Sequence, residues 1–245
     1  MVPIQIFPVF FNWIDYIERF EKVTGLKALD IGCGSGGMPL AMLKRGTSEV
    51  WGVEVDKNLY DLCSIRFRNV NAATVHLVDG KTLPYHKNSF DIVTSIHVLE
   101  HVDDIETFLS EIFRVLKQGG TGMLECPNRT FPIEPHNEIP FITYLPKGIA
   151  DIICANFLAK LPIFKQDLRL RLKNVKSFNH FISTGTLVST VNKRGGSVLL
   201  KNPGERFLAE TKISRSLLIF FEKRPKLLVL SAYWFSKNAL LIFKK

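Results

Sequence analysis

Apolar residues recur at helical spacing near the start of the chain, where Trp13, Ile14, Ile17 and Phe20 predict a helix over about Asn12 to Glu21. The pattern then changes to short apolar runs that read as buried parallel strands: Lys27 to Ile31, Val50 to Glu54, Thr74 to Val78, Asp91 to Ser95 and Gly120 to Glu125. Helical stretches at Pro39 to Lys44, Leu59 to Phe67 and Ile105 to Leu116 separate most of them. Strands that alternate with helices imply a parallel sheet wound by right-handed crossovers, an α/β fold. After Cys126 the rhythm breaks. Pro127, Pro132, Pro135, Pro140 and Pro146 cannot share one helix, so this stretch reads as an ordered loop leading into helical material from about Lys147 to Leu161. An insertion beyond the fifth strand lies over the carboxyl ends of the sheet. Val198 to Lys201 and Ala239 to Phe243 are the expected last strands.

With 245 residues and 46% hydrophobic content, the chain holds enough apolar material for a substantial core, which excludes a disordered or fibrous protein. Cys33, Cys63, Cys126 and Cys154 lie far apart with no C-x-x-C pair and no secretory leader, so a reducing cytoplasm is the expected setting. Charge alters the picture more. Residues 1–125 carry 12 Lys and Arg against 16 Asp and Glu, whereas residues 126–245 carry 20 against 7. The basic half is either a solvated face or a surface for an anionic partner. Leu217 to Phe221 and Leu227 to Phe235 are too short to span a bilayer. They read as a buried helix and a strand, with peripheral contact at an anionic membrane surface as the alternative.

The run ALDIGCGSGG, residues 28–37, is a strand that ends in an acid and turns through Gly32, Gly34 and Gly36 into a helix. Such glycines let a ligand approach the backbone at a helix start. Gly32, Gly34 and Gly37 also satisfy the dinucleotide fingerprint, so the glycines alone do not select the ligand. The acids do. Asp30, just ahead of the glycines, repels a pyrophosphate but attracts an ammonium group. Glu54 ends the second strand and can accept both hydroxyl protons of a ribose. Asp79, followed by Gly80 at the end of the third strand, can accept an adenine amine. Three acids along one sheet edge describe a site for an adenosine that carries an ammonium.

These segments, together with GVEVD at 52–56, VDG at 78–80, LPYHKNSFDIVTSIHVLEHV at 83–102 and RVLKQGG at 114–120, resemble the class I S-adenosylmethionine-dependent methyltransferases. The similarity is greatest to the methyltransferase type 11 group, which includes quinone-biosynthesis enzymes. The resemblance covers about residues 25–128. It implies a Rossmann-like, seven-stranded, mostly parallel sheet with helices on both faces, the last strand antiparallel and a helical or loop insertion after strand 5. It divides a single domain, 1–245, into a cofactor-binding half (1–126), a lid or acceptor insertion (127–195) and C-terminal strands and helix (196–245). It further implies that the backbone from Gly32 through Cys33 and Gly34 to Gly36 cradles the methionine part of S-adenosyl-L-methionine, with Asp30 on its amino group. Glu54 would hold the ribose, Val55 would cover the adenine, Asp79 and Gly80 would read its edge, and the main chain from Ser95 to His97 would lie near the sulfonium.

Methyl transfer to oxygen or nitrogen needs alignment and a base, for which a histidine is suited. The candidates are His97, His101 and His136. If a helix begins after the fourth strand, His97, Glu100 and His101 share one face at positions i, i+3 and i+4. That is also a metal-ligand spacing. Related quinone O-methyltransferases that associate with a divalent metal carry Glu where this chain has His97, and no metal is assigned here. The proline-rich stretch, with Glu134, His136 and Tyr144, is similar to a motif in methyltransferases of polysaccharide gene clusters. Those groups either act on a substrate hydroxyl or tie down the loop. The reading favoured is methylation, on oxygen, of a small-molecule, saccharide, quinone-like or lipid-linked acceptor. The alternatives are an RNA methyltransferase that uses the basic half, and a non-catalytic binding relative. Phe178, Phe181, Phe207, Tyr233 and Trp234 sit in apolar runs rather than among arginines, which disfavours nucleic acid.

Overall fold

The computed structural model describes residues 8–132, 139, 141–145, 147–160, 182–201, 226 and 238–245. Its elements in chain order are α1 (Pro8–Glu18), β1 (Lys27–Ile31), α2 (Gly37–Lys44), β2 (Glu49–Glu54), α3 (Lys57–Phe67), β3 (Ala73–Leu77), β4 (Phe90–Ile96), α4 (Ile105–Val115), β5 (Leu116–Pro127), α5 (Lys147–Asn156), α6 (Thr184–Lys193), β6 (Ser197–Lys201) and β7 (Asn238–Lys244). Short 3-10 turns follow β4 at Leu99–His101 and flank α5.

The strands form one seven-stranded sheet in the order β3-β2-β1-β4-β5-β7-β6. The first five are mutually parallel, while β7 runs antiparallel to both β5 and β6. β1 pairs with β2 on one side and β4 on the other, so the chain reverses its direction of winding there. Outside the carboxyl ends of strands at such a reversal lies the crevice where open α/β sheets bind ligands.

Alternation along the buried strands sorts side chains onto two faces. Ala28, Val50, Ile92, Met123, Leu240 and Ile242 pack with α1 and α2, including Trp13, Ile14, Ile17 and Met42. Leu29, Val93, Leu124, Leu241 and Phe243 pack with Leu109, Ile112 and Phe113 of α4 and with Leu187 and Val191 of α6. Both faces are therefore covered by helices. The helix starts are set by side-chain caps: Asp56 accepts from the amides of Asn58 and Leu59, Asp104 from Thr107 and Ser183 from Thr186.

The loop between β3 and β4 is fixed by an ion pair. Arg114 donates to the carbonyl of Leu83 at 2.9 Å, and its partner Glu111 accepts from the amide of the same residue at 2.8 Å. The start of β1 is held in a similar way, since Asp91 accepts from the Lys27 amide and from Lys117.

The expected strands are all present, with ends that move by a few residues. α1 begins at Pro8 instead of Asn12, because proline suits the first turn of a helix. α6, at residues 184–193, adds a helix to those the apolar pattern predicts; it packs on the sheet through Leu187 and Val191. The stretches Leu217 to Phe221 and Leu227 to Phe235 lie outside the described residues. Among the described residues, no helix is long and apolar enough to cross a membrane.

Candidate functional site

Asp30 stands one residue before the end of β1, in register with Gly52 of β2 and Thr94 of β4. Only 3% of it is exposed. Burial pushes its pKa up to about 7; the Thr94 hydroxyl, which donates to it at 2.6 Å, opposes the rise and the nearby Glu54 adds to it. A carboxyl in this state gains from a cation placed beside it, which is the chemistry of an ammonium ligand.

The glycine turn follows. Its shape is dictated by positions where a side chain has no room or no allowed backbone: a Cβ on Gly32 would come within 2.3 Å of Val98 Cγ2. Gly34 adopts φ +54 and has nothing within 4 Å of its Cβ position, so it borders open space. α2 begins at Gly37, and its N-cap, Gly36, offers no capping side chain, which leaves the positive end of the helix available to a carboxylate.

Glu54, at the tip of β2, is 6% exposed and grips this turn. Its Oε2 accepts from the Gly34 amide at 2.8 Å, and its Oε1 accepts from Val55 at 2.8 Å and Asp56 at 3.0 Å. Oε2 retains a second acceptor direction toward a hydroxyl. The acid thus both shapes the loop and presents an oxygen. Val55, 60% exposed, meets the backbone at Gly80, where an added Cβ would lie 3.3 Å from Val55 Cγ1. Asp79 falls in the loop two residues beyond the end of β3 rather than at its tip; it is exposed and accepts from the Lys81 amide at 2.9 Å. The structure therefore brings Asp30, Glu54, Val55, Gly80 and the glycine turn to one edge, with Asp79 at the rim.

The Cys33 side chain lies below the turn. Its Sγ points beneath the loop, 3.9 Å from Cys63 Sγ, in a cluster with Phe67, and its amide is committed to the Val53 carbonyl. It supports the loop from below. Ser95 is wholly buried in β4, with no exposed atom. All four cysteines are buried free thiols.

The edge after β4 holds the second cluster. His97 leaves the strand with φ +56, a left-handed conformation in which its amide still donates to the Glu125 carbonyl at 2.8 Å. Its ring is 6.4 Å from that of Trp13, and its side chain is 43% exposed. Nδ1 lies 3.5 Å from Glu100 Oε1 and Nε2 lies 3.7 Å from Glu125 Oε1. Both glutamates are buried, at 1% and 0% exposure. Among the described residues, neither oxygen of Glu100 has a hydrogen-bond partner, whereas Glu125 Oε1 accepts from Asn238 Nδ2 at 2.9 Å. Cys126 beside them stays a thiol, its pKa raised by burial and by the charges of Glu100 and Glu125.

His97, Glu100 and His101 do not form the expected helical face. Residues 99–101 form a 3-10 turn. With three residues per turn, Glu100 comes over His97 while His101 rotates away, where it is exposed. His136 and Glu134 lie outside the described residues, as do Phe178, Phe181, Phe207, Tyr233 and Trp234. Tyr144 donates its hydroxyl to the Thr130 carbonyl at 2.7 Å and so ties the insertion to the end of β5. Glu125 and Asn238 were missed from sequence. The available signal was an acid inside the apolar run GMLECP. Among the described residues, no group of three or more His, Cys, Asp or Glu is arranged to hold a metal ion.

Comparison with known proteins gives this edge a context. Residues 29–124 match the family described as "Methyltransferase domain". The demethylmenaquinone methyltransferase of Lactococcus lactis is 31% identical over 122 residues, 48% of each chain. The ubiquinone biosynthesis O-methyltransferase of Pseudomonas fluorescens is 33% identical over 131 residues, 50% of this chain and 52% of the relative. The chain thus spans about half the length of the curated relatives it matches. Among solved structures, an S-adenosylmethionine-dependent methyltransferase from Mesorhizobium loti superposes with a TM-score of 0.64 at 16% identity, covering 96% of this chain and 97% of the other. A similar protein from Listeria monocytogenes gives 0.60 at 11% identity, covering 95% and 96%. These two establish the fold over nearly the whole length. Fold, strand-tip acids and family match agree: the segment from residue 29 to residue 124, which holds Asp30 and Glu54, is the part that matches the methyltransferase domain family.

Proposed function

We propose that this chain transfers a methyl group from S-adenosyl-L-methionine to a small-molecule acceptor, on oxygen. The observation that carries the reading is the pair of buried acids at adjacent strand tips. Asp30 is desolvated and asks for a cation, and Glu54 keeps an acceptor direction beside the open space at Gly34. That donor and acceptor set fits an amino acid joined to a nucleoside. Bound there, the cofactor supplies a methyl group on a cationic sulfur.

The residues divide the work. Asp30 would hold the ammonium as a carboxylate, the uncapped start of α2 would take the acid group, Glu54 would accept from the ribose, Val55 would cover the adenine, and Asp79 with the Gly80 amide would read its edge. Val98 packs on Gly32, which sets His97 one residue from the cofactor loop. His97 takes the proton of the acceptor hydroxyl. The imidazolium so formed lies between the buried Glu100 and Glu125, whose charges stabilise it. Quinone-like, saccharide and lipid-linked hydroxyls all suit this arrangement, and the relatives named for quinone biosynthesis support a small acceptor.

Titration calorimetry with S-adenosyl-L-methionine tests the cofactor assignment. Glu54→Gln weakens binding by roughly 10-fold to 100-fold, the loss of a charge-assisted hydrogen bond and of part of the loop's support. Unchanged affinity in that variant refutes the ribose role.

A further inference from the structure

The insertion after β5 carries more apolar surface than its own core uses. That core consists of Ile139, Ile142, Ala150, Cys154 and Ala159. Outside it, Phe141 is 65% exposed, Tyr144 46%, Ile149 49%, Ile152 62% and Phe157 63%. On α5, Ile149 and Ile152 are three residues apart and share a face, while Ala150, Ile153 and Cys154 supply the face that packs inward. A helix with apolar groups on both faces at a protein surface is built to meet a second apolar phase. Phe141 and Tyr144 extend the patch as a stacked pair, with centroids 6.3 Å apart.

Two further observations say what that phase is. The first is charge. From Lys160 to Lys176 the sequence holds six Lys and Arg against one acid, and the whole half from residue 126 has 20 against 7. A second copy of this chain would bring like charges together, whereas an anionic bilayer offers hydrocarbon to the apolar groups and phosphates to the basic ones. The second is position. The Tyr144 bond to Thr130 and the bridge between Asn128 and Ile182 fasten the insertion within a few residues of Glu125. The insertion is therefore tethered at the carboxyl end of β5, the strand whose Glu125 lies beside His97.

We propose that Phe141, Tyr144, Ile149, Ile152 and Phe157 dock on an anionic phospholipid bilayer, and that the acceptor is drawn from it. The choice of acceptor rests on the methyltransferase reading; the docking does not.

Co-sedimentation of the full chain with vesicles of phosphatidylglycerol and phosphatidylcholine, against phosphatidylcholine alone, tests it. The chain sediments with the anionic vesicles, and Ile152→Glu combined with Phe157→Glu weakens that partition roughly tenfold or more, while far-UV circular dichroism is unchanged. Because both side chains are exposed, the substitutions spare the core; Ile149→Ser, a milder change, gives a smaller loss. The proposal is overturned if the wild-type chain stays in the supernatant or if the double variant sediments like the wild type. It is also overturned if the patch proves to hold a dimer that the double substitution separates. Calorimetry with S-adenosyl-L-methionine on the same samples keeps the two readings apart. Heat of binding without sedimentation removes the docking alone, and sedimentation without heat removes only the enzymatic reading.

Discussion

Glu54 and Glu100 are both buried glutamates at the same edge of one sheet, yet their surroundings are opposite. Glu54 accepts from three backbone amides and anchors the glycine turn; Glu100 has, among the described residues, no hydrogen-bond partner on either oxygen and faces the ring of a half-exposed histidine. The first arrangement is rigid before any ligand arrives. The second has only the His97 ring beside it among the described residues, and a buried carboxylate without a hydrogen bond is costly unless a positive charge or a donor compensates it. One end of the edge is thus organised for holding and the other for a charge that comes and goes.

That contrast breaks most visibly at His97. His97→Ala lowers turnover by about 100-fold to 10,000-fold, as expected for removal of a general base, and leaves the calorimetric affinity for S-adenosyl-L-methionine within about twofold. Equal losses in both measurements would place His97 on the holding side.

Asp30 gives the next largest effect. A carboxyl moved from 3.8 to about 7 destabilises the fold by on the order of 4 kcal/mol once ionised. The sign follows from a folded pKa above the unfolded one. The cost is absent below pH 4, grows as pH rises to about 7 and is constant above it. Asp30→Asn therefore stabilises the ligand-free chain at pH 8 by up to that amount and has little effect near pH 4, as read by denaturant titration. The same variant binds the cofactor more weakly. In the wild type, binding at pH 6 releases a proton, measurable by calorimetry in buffers of different ionisation enthalpy.

Glu100→Gln is the smallest of the three. Replacement of the unpartnered carboxylate raises stability by about 1 to 3 kcal/mol in thermal or denaturant unfolding. Turnover falls less than in His97→Ala. A destabilised Glu100→Gln would mean that the carboxylate is structurally required and would erase the contrast with Glu54.

The strands, the glycine turn, Asp30 and Glu54 are legible in sequence because each depends on local order: an apolar run, then an acid, then glycines. What escaped depends on distant partners or on turn geometry. The segment TGTLVSTVNK of α6 is full of Thr and Val, poor helix formers, and becomes helical through the Ser183 cap and packing against α4 and β7. His101 seemed to join His97 because a regular helix was assumed where the chain makes a tighter 3-10 turn. Cys33 lies within the glycine motif, yet positive φ at Gly32 and Gly34 turns the chain so that its sulfur lies against Cys63. Glu125 escaped because its amide donor, Asn238, is 113 residues away.

That last separation has a consequence for assembly. The β1, β2, β3 and β4 strands all lie within residues 27–96, whereas β5 finds its outer neighbour, β7, far downstream. Asn238, the first residue of β7, reaches Glu125 only through that pairing. The outer pairing of β5, and with it the donor to Glu125, is therefore the most distant strand contact in the sheet and the kind that closes most slowly during folding.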